Sequence, residues 1–296
     1  MRITNKMIGE RVLTNIQKNI NSIAKFHDQL SSGLKVRYPS DDAVTATRTS
    51  NLKSRLRELE QYERNIDHAE NILNSYDTSL QEISSIYQRL RELITQGANG
   101  ILTDEQRKAI SQEVKQIKEQ LIQIANTQIG TDYIFAGYAS NKPPVDQDGN
   151  IVLNPDSAKS RFVNALGYRV EYGLSAKDVF QTDSGMSVFQ LIDITINALE
   201  SNDQETLGGI SLMSMDYLED TVSKGLAKIG ADQRMVEMIS TRIEDLNTFM
   251  TEYISKETDA DITEVLTKLS THQAALTAAL KSAANVLTST LVDFIE

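Results

Sequence analysis

The chain has 296 residues, a net charge of −11 and no cysteine, and 40% of its residues are hydrophobic. This length allows one large domain or two to three small ones, and the composition is that of an ordinary folded protein. The absence of cysteine excludes disulfides, thiolate metal sites and a cysteine nucleophile. The sequence has no apolar run of the roughly 18–20 residues that a membrane span needs, and its first twenty residues lack the apolar core of a signal peptide.

Charge is distributed unevenly along the chain. Residues 1–66 carry 12 basic and 7 acidic side chains, a net +5, whereas residues 186–296 carry 7 and 18, a net −11. Opposite charges favour pairing of the two ends, within one molecule or between neighbours. The simpler interpretation is an unevenly charged, solvated surface. The negative total argues against nucleic acid as a partner.

The first predicted helix carries an apolar stripe with the alternating three- and four-residue spacing of a coiled-coil seam. Its members are Leu13, Ile16, Ile20, Ile23, His27 and Leu30. The pattern stops at Gly33, and a turn region follows. There, Asp41 or Asp42 is expected to cap the next helix by accepting backbone N–H bonds. A metal or acid–base role for this carboxylate pair is the less favoured alternative.

The second predicted helix has the strongest apolar stripe in the sequence. It runs from Leu52 to Ile94, which corresponds to roughly 65 Å of helix at 1.5 Å per residue. Such a helix needs partners of similar length to bury its stripe. Glycines at 97 and 100 end it, and the following Thr103 and Gln106 form a capping-box pattern. The next stripe, from Ile110 to Ile124, completes a predicted helical hairpin.

Residues 133–189 differ in character from the helical stretches. They hold 8 of the 17 aromatic residues and three of the four prolines. The sequence Asp148-Gly149-Asn150 is a turn signal, and residues 168–172 alternate with the period of a strand. We therefore expect a small β-rich domain inserted between helices.

Helical patterns resume at Val188–Leu199 and at Leu212–Ile254, the latter interrupted only by Gly225 and Gly230, and a final helix follows residues 255–259. The predicted fold is mainly α with a β-rich insert, an elongated bundle of long antiparallel helices. The terminal helices are expected to pair, or to be disordered in the monomer. The predicted domains are a terminal assembly domain (1–40 and 256–296), a helical rod (41–135 and 190–255) and the β-rich insert (136–189).

The sequence contains little that indicates catalysis. It has no phosphate-binding glycine loop, zinc-protease motif or nucleophile elbow. His27 and His272 fall on apolar stripes and could form a proton-sensitive pair, but such residues more often fix helix register. The basic residues at 53–64 alternate with glutamates, as on a solvated helix face. We expect a structural protein with no enzyme activity, cofactor or metal.

Several stretches together resemble the flagellin superfamily. They are MRITNKM at the start, LSSGLKVRYPSDDAV at 30–44, IANTQIGTDYIFAGYASNKPPV at 124–145, KIGADQRM at 228–235 and the segment 259–295. Within this superfamily the chain is most similar to the hook-associated protein 3 family (FlgL), which joins flagellar hook and filament. The residues that carry this narrower resemblance are Ser40, Asp41, Asp42, Phe135, Gly137, Tyr138, Pro143 and Pro144.

The resemblance implies a structural junction protein outside the cell, in the flagellum, exported unfolded by the flagellar type III apparatus. Its implied partners are copies of itself in a ring or helical layer, the first hook-associated protein, flagellin, and an export chaperone at the C-terminal helix. No membrane or nucleic acid is implied. Ala43 departs from the family, which commonly has proline there, and Glu257-Thr258-Asp259 departs from its acidic pair. A minor flagellin is the main alternative; an adhesin or enzyme with a site in the insert is a remote one.

Family members typically have termini that fold into paired helices only on assembly. Physical reasoning agrees, because a lone terminal helix loses chain entropy without burying its stripe. The residues predicted to form this assembly interface are Leu13, Ile16, Ile20, Ile23, Leu276, Leu280, Leu287, Leu291 and Phe294.

Overall fold

The computed structural model describes residues 5–100, 102–138, 140–152, 161–182 and 185–292. The long helices are α1 (Asn5–Ser32), α2 (Ala43–Gly97), α3 (Asp104–Ala125), α7 (Leu212–Thr258) and α8 (Ile262–Val292). The short helices are α4 (Ala176–Phe180), α5 (Val188–Ser201) and α6 (Gln204–Thr206). The strands are β1 (Gln128–Ile129), β2 (Asp132–Tyr133), β3 (Arg161–Ala165) and β4 (Tyr168–Tyr172). The expectation of a mainly α fold with a small β insert is confirmed.

The chain divides into two compact units. The first, here called the terminal unit, comprises Met1–Glu58 and Leu246–Glu296; the second, the central unit, comprises Leu59–Asp245. The residues of the expected insert belong to the central unit together with most of the helical residues around them. The three-part division at residues 40, 135, 190 and 255 stays a prediction.

The core of the central unit is built on the stripe of α2. From Ile66 to Ile94 its apolar side chains recur every three or four residues, and nearly all of them are fully buried. This is the stripe that the sequence predicted, and it places Tyr76 and Tyr87 among the largest fully buried side chains. Burying a large apolar side chain contributes about 1.5–3 kcal/mol, so this stripe is a main source of the unit's stability.

Helix α3 begins and packs as its sequence predicts. The Thr103 hydroxyl accepts the N–H of Gln106 at 3.3 Å, and the Gln106 side chain accepts the N–H of Thr103 at 2.9 Å. Its apolar face lies against α5. The Lys118 ammonium reaches the Asp193 carboxylate at 2.7 Å and ties the two helices together.

The β structure consists of two antiparallel pairs. Strands β3 and β4 pair Arg161 with Tyr172 and Ala165 with Tyr168. Their connection has positive φ at both Leu166 and Gly167, the backbone of a type I′ hairpin turn. The shorter pair, β1 and β2, begins at residue 128, before the predicted start of the insert at 136.

Helices follow the β structure as expected, with one difference. Asn202, in the left-handed conformation at φ 61°, ends α5, and a single π-helical turn at Leu207–Ser211 leads into α7. The sequence indicated interruptions at Gly225 and Gly230, but α7 runs through both. Gly225 instead allows close packing, since a Cβ there would lie 3.3 Å from the Leu174 side chain.

Candidate assembly and junction site

The terminal unit pairs α1 with α8. The extended chain after α1 bridges to the start of α8 through Leu34 and Asp259, and the N–H of Ala260 donates to the carbonyl of Gly33 at 2.9 Å. Farther along the pair, a ring nitrogen of His272 lies 2.9 Å from the Asn19 side-chain oxygen. Pairing of the terminal helices was one of the two expectations for them, and the structure contains that pair.

The face of α1 that meets α8 differs from the predicted seam at every second position. Its half-buried side chains are Val12, Ile16, Asn19, Ile23, Phe26 and Leu30. Leu13 and Ile20 are exposed, as is His27. Both sets have the same alternating spacing and share Ile16, Ile23 and Leu30, so spacing alone could not separate them. The sequence signal that could have separated the two stripes was the large apolar ring of Phe26, next to the polar His27.

The less favoured possibility, a proton-sensitive pair of His27 and His272, does not occur in the structure. His272 contacts the ring of Phe26, with 5.3 Å between ring centroids, as well as Asn19. Because His27 lies on the exposed side of α1, it has no route to the seam. A hydrogen-bonded polar pair inside an apolar seam fixes helix register, so the favoured interpretation of these histidines fits His272 but not the exposed His27.

The predicted interface residues fall into three groups. Ile16, Ile23 and Leu276 are half-buried in the α1–α8 seam. Leu13, Ile20 and Leu280 are exposed, with Leu13 72% accessible. Leu287 and Leu291 lie within α8, but their side chains are outside the described part of the chain, and Phe294 is outside it altogether. The terminal unit thus has one apolar stripe inside its helix pair and further large apolar residues facing outward.

The two adjacent aspartates have separate roles at the start of α2. The Asp42 carboxylate accepts the N–H groups of Val44 and Thr45 at 3.0 and 3.1 Å, so it is the cap that the sequence predicted. Asp41 closes the preceding turn by accepting the N–H groups of Tyr38 and Arg37 at 3.0 and 3.2 Å. These backbone bonds, that of Tyr38 for Asp41 and that of Thr45 for Asp42, lower the pKa of each carboxyl. Ser40 is exposed in the same turn.

The second group of signature residues lies at the exit from α3. Phe135 is fully buried, and its ring meets the rings of Tyr76 and Phe180 edge-on, at centroid distances of 5.2 and 5.6 Å. Gly137 takes a positive φ of 67°, which reverses the chain after the aromatic anchor. Tyr138 is exposed and stacks on Phe162.

The two prolines continue this segment along the surface of the central unit. Pro143 is exposed and Pro144 is buried. The side-chain amide of Asn126 donates to the carbonyl of Val145 and accepts its N–H, which holds the segment against the end of α3. The helix had already ended at Ala125, so the prolines do not stop it. They follow a turn that the aromatic residues anchor.

Sequence reasoning missed the residue at the centre of this segment, Tyr76. Its hydroxyl lies within hydrogen-bonding distance of the carbonyls of Ile134 and Leu174, the latter at 2.6 Å. Burial raises the pKa of this phenol, so it remains protonated and can donate. Nothing in the sequence indicated this role, because Tyr76 lies on the apolar stripe of α2, where a tyrosine is expected to be an ordinary core residue.

The described residues show no arrangement typical of a catalytic or metal site. They contain no group of three histidine or acidic side chains placed to hold a metal ion. None of the described helices is long and apolar enough to cross a membrane. The described residues instead present exposed apolar side chains on the α1–α8 pair, and a segment after α3, residues 133–145, that Phe135 anchors in an aromatic core.

Comparison with known proteins agrees with this geometry. The family model described as the bacterial flagellin N-terminal helical region matches residues 3–140. The chain is 23% identical to flagellar hook-associated protein 3 of Escherichia coli over 95% of the chain and 96% of that protein. It is 26% identical to the protein of the same name from Salmonella typhimurium, over 68% of the chain and 67% of that protein. The chain is similar to proteins of the flagellin superfamily along almost its whole length.

Members of this superfamily with other names also match. A flagellin of Clostridium tyrobutyricum is 25% identical over 73% of the chain and 53% of that protein. Among solved structures, a flagellar hook-associated protein from Vibrio parahaemolyticus has a TM-score of 0.69 at 22% identity, covering 74% of the chain and all of that structure. FlgL of Bacillus cereus has a TM-score of 0.58 at 21% identity, covering 69% and 99%. These structural likenesses confirm the superfamily fold.

Proposed function

We propose that this chain is a structural junction protein of the bacterial flagellum, joining the hook to the flagellin filament. The observation that carries the proposal is the match along almost the full length of both chains to a protein named flagellar hook-associated protein 3. The absence of any assembled catalytic or metal group among the described residues is compatible with a purely structural role. Its partners are, on this proposal, the first hook-associated protein on one side and flagellin on the other.

Deletion of the gene in its own bacterium tests this function. Loss of a junction protein leaves hooks without filaments, while flagellin is shed into the medium. Electron microscopy of the cells and an immunoblot of the medium measure the two results. Normal filaments in the deletion strain would contradict the proposal. Re-expression of the intact chain should restore filaments and serves as the control.

A minor flagellin is the second candidate, and the flagellin relatives support it. Because flagellins polymerise without limit, overproduction of the chain in a strain lacking other flagellins distinguishes the two functions. A flagellin gives long filaments, whereas a junction protein adds only a short layer to the hook. Long filaments of this chain alone would replace the first proposal with the second.

The terminal unit supplies the proposed assembly surface. Its exposed Leu13, Ile20 and Leu280 are apolar residues that the α1–α8 pair leaves in water. In a ring or helical layer, neighbouring copies would cover them and offset the chain entropy lost on ordering the termini. We propose that these residues, with Leu287, Leu291 and Phe294, make contacts between subunits, whereas Ile16, Ile23 and Leu276 serve the pair itself.

Folding on assembly is the dynamic part of the proposal. Amide hydrogen exchange on the purified monomer should show weak protection at residues 5–30 and 265–292, and strong protection at 66–94. Export in unfolded form, with a chaperone on the C-terminal helix, would depend on the same weak stability. Strong protection of the terminal segments in the monomer would contradict this part and leave the junction role standing.

A further inference from the structure

A basic pocket lies in the terminal unit, where the chain between α1 and α2 meets the first turns of α2. Its volume is about 670 Å³. Three cationic side chains line it: Arg37 from the connecting chain, and Lys53 and Arg57 from α2. No acidic residue is among the described residues that line it.

The three cations have no carboxylate partner among the described residues. Arg57 makes only a 3.3 Å contact with the Ser54 hydroxyl on its own helix, and the Arg37 guanidinium lies over the Tyr38 ring. Some exposed cations of the same unit are paired, as Arg48 is with Glu257 at 3.1 Å, whereas others, such as Arg55, have no carboxylate partner among the described residues. From the sequence alone, Lys53 and Arg57 read as part of a solvated helix face; the fold gathers them with Arg37 around one cavity.

A buried hydroxyl gives a second, independent indication of a polar ligand. Thr49 lines the same pocket and is 6% exposed, yet its side-chain oxygen has no hydrogen-bond partner in the described part of the chain. Buried polar atoms are normally satisfied, so an unpartnered hydroxyl in the wall of a basic pocket indicates a missing polar group. The chemistry that fits three cations and a hydroxyl is carboxylate.

The chain itself carries carboxylates of the required kind on α7. Most acidic residues of this helix are occupied: Asp216 and Glu219 by Arg91, Asp220 by Lys224, Glu252 by Lys256 and Glu257 by Arg48. Glu237, Glu244 and Asp245 are exposed and without a cationic partner among the described residues, and the last two are adjacent. Lys53 and Arg57 lie one turn apart on one face of α2, about 6 Å along its axis, whereas Glu244 and Asp245 point about 100° apart around α7 and only one of them faces a partner directly.

We propose that this pocket binds the Glu244 carboxylate of a second copy of the chain, with Asp245 adding negative charge beside it. The contact rests on the proposed function only in requiring that copies of the chain assemble side by side. It gives the opposite charges of residues 1–66 and 186–296 a specific role: the basic start of α2 in one subunit meets the acidic stretch of α7 in its neighbour. Ion pairs of this kind select partner and register more than they add affinity.

Disulfide cross-linking tests the contact, since the chain has no native cysteine. A deletion strain co-expresses two single-cysteine chains of different tagged mass, Arg57→Cys and Glu244→Cys, and its flagella are isolated and mildly oxidised. A disulfide-linked heterodimer is expected on a non-reducing gel. The control pair replaces Arg57→Cys by Arg55→Cys, on the same helix and exposed but outside the pocket, and should give about tenfold less heterodimer.

Filament formation in the same cells tests the junction role independently of the proposed contact. Restored filaments without the heterodimer would overturn the contact and leave the proposed function intact. A heterodimer without restored filaments would support the contact and count against the function. Equal heterodimer yields from the Arg57→Cys and Arg55→Cys pairs would also overturn the proposed contact, because a nonspecific collision does not distinguish the two positions.

Charge exchange provides a second measurement. Lys53→Glu with Arg57→Glu should weaken assembly onto hooks about tenfold or more, and adding Glu244→Lys with Asp245→Lys in the same chain should restore it. Circular dichroism confirms that each variant keeps its helix content. Weak assembly that the compensating pair fails to rescue would contradict the proposal.

Discussion

Apolar residues recur with the same helical spacing in both compact units, but they are buried to different extents. In the central unit, the stripe of α2 is fully buried from Ile66 to Ile94. In α1 no described side chain is fully buried, although its apolar residues follow equally regular spacing. A periodic stripe therefore shows that a helix has an apolar face, but the number of neighbours decides whether that face is covered. Among the described residues, the close helix contact of α1 is with α8.

The largest expected effect is at the aromatic centre of the central unit. Phe135→Ala should lower the free energy of unfolding by about 3–5 kcal/mol, because it removes a fully buried ring between Tyr76 and Phe180. Urea denaturation followed by circular dichroism measures the loss. Tyr138→Ala, an exposed aromatic three residues away, is the matched control and should cost far less. Equal costs would show that the two rings are equivalent.

The next effect concerns a single hydroxyl. Tyr76→Phe should destabilise the central unit by about 1–3 kcal/mol, because it removes the one O–H donor that lies between the buried carbonyls of Ile134 and Leu174. Tyr138→Phe removes an exposed hydroxyl and should be nearly neutral. The difference between their denaturation midpoints measures the effect. An unchanged midpoint in Tyr76→Phe would contradict the role assigned to this hydroxyl.

A smaller effect is expected at the start of α3. Thr103→Ala removes one half of the capping box and should cost about 0.5–2 kcal/mol. Thr103→Ser keeps the acceptor oxygen and should recover most of the loss. Thermal unfolding of the two variants tests this, and equal destabilisation by Ala and Ser would contradict a capping role for the hydroxyl.

In the terminal unit, substitutions of exposed apolar residues should affect assembly much more than the stability of the monomer. Leu13→Ser, at an exposed position, should change the unfolding free energy of the monomer by no more than about 0.5 kcal/mol. It should nevertheless reduce assembly onto hooks, because the proposed contact is between subunits. Ile16→Ser, in the seam of the α1–α8 pair, should reduce assembly at least as strongly, because the pair itself must form when subunits join. Normal assembly of Leu13→Ser would count against the outward-facing interface.

The smallest effect is a pH dependence at the turn between α1 and α2. The pKa values of Asp41 and Asp42 are lowered by backbone N–H groups, so the ionised carboxylates stabilise the folded turn. This contribution is present above the ordinary value of 3.8 and is lost as pH falls through the lowered pKa of each group. Titration by NMR should place both midpoints below 3.8. Midpoints at or above that value would contradict the hydrogen bonding described here.

The sequence by itself determined the long helices, the capping box of α3 and the position of strand β4, because local spacing and end signals specify each of them. It also carried the superfamily resemblance, through short segments such as those containing Asp42 and Phe135. Tertiary structure alone decided which of two equally spaced stripes on α1 faces α8, since both satisfy the same periodicity. It also decided that Tyr76 joins two distant carbonyls, and that Arg37, Lys53 and Arg57 surround one pocket. These contacts join residues far apart in sequence, and no local pattern encodes them.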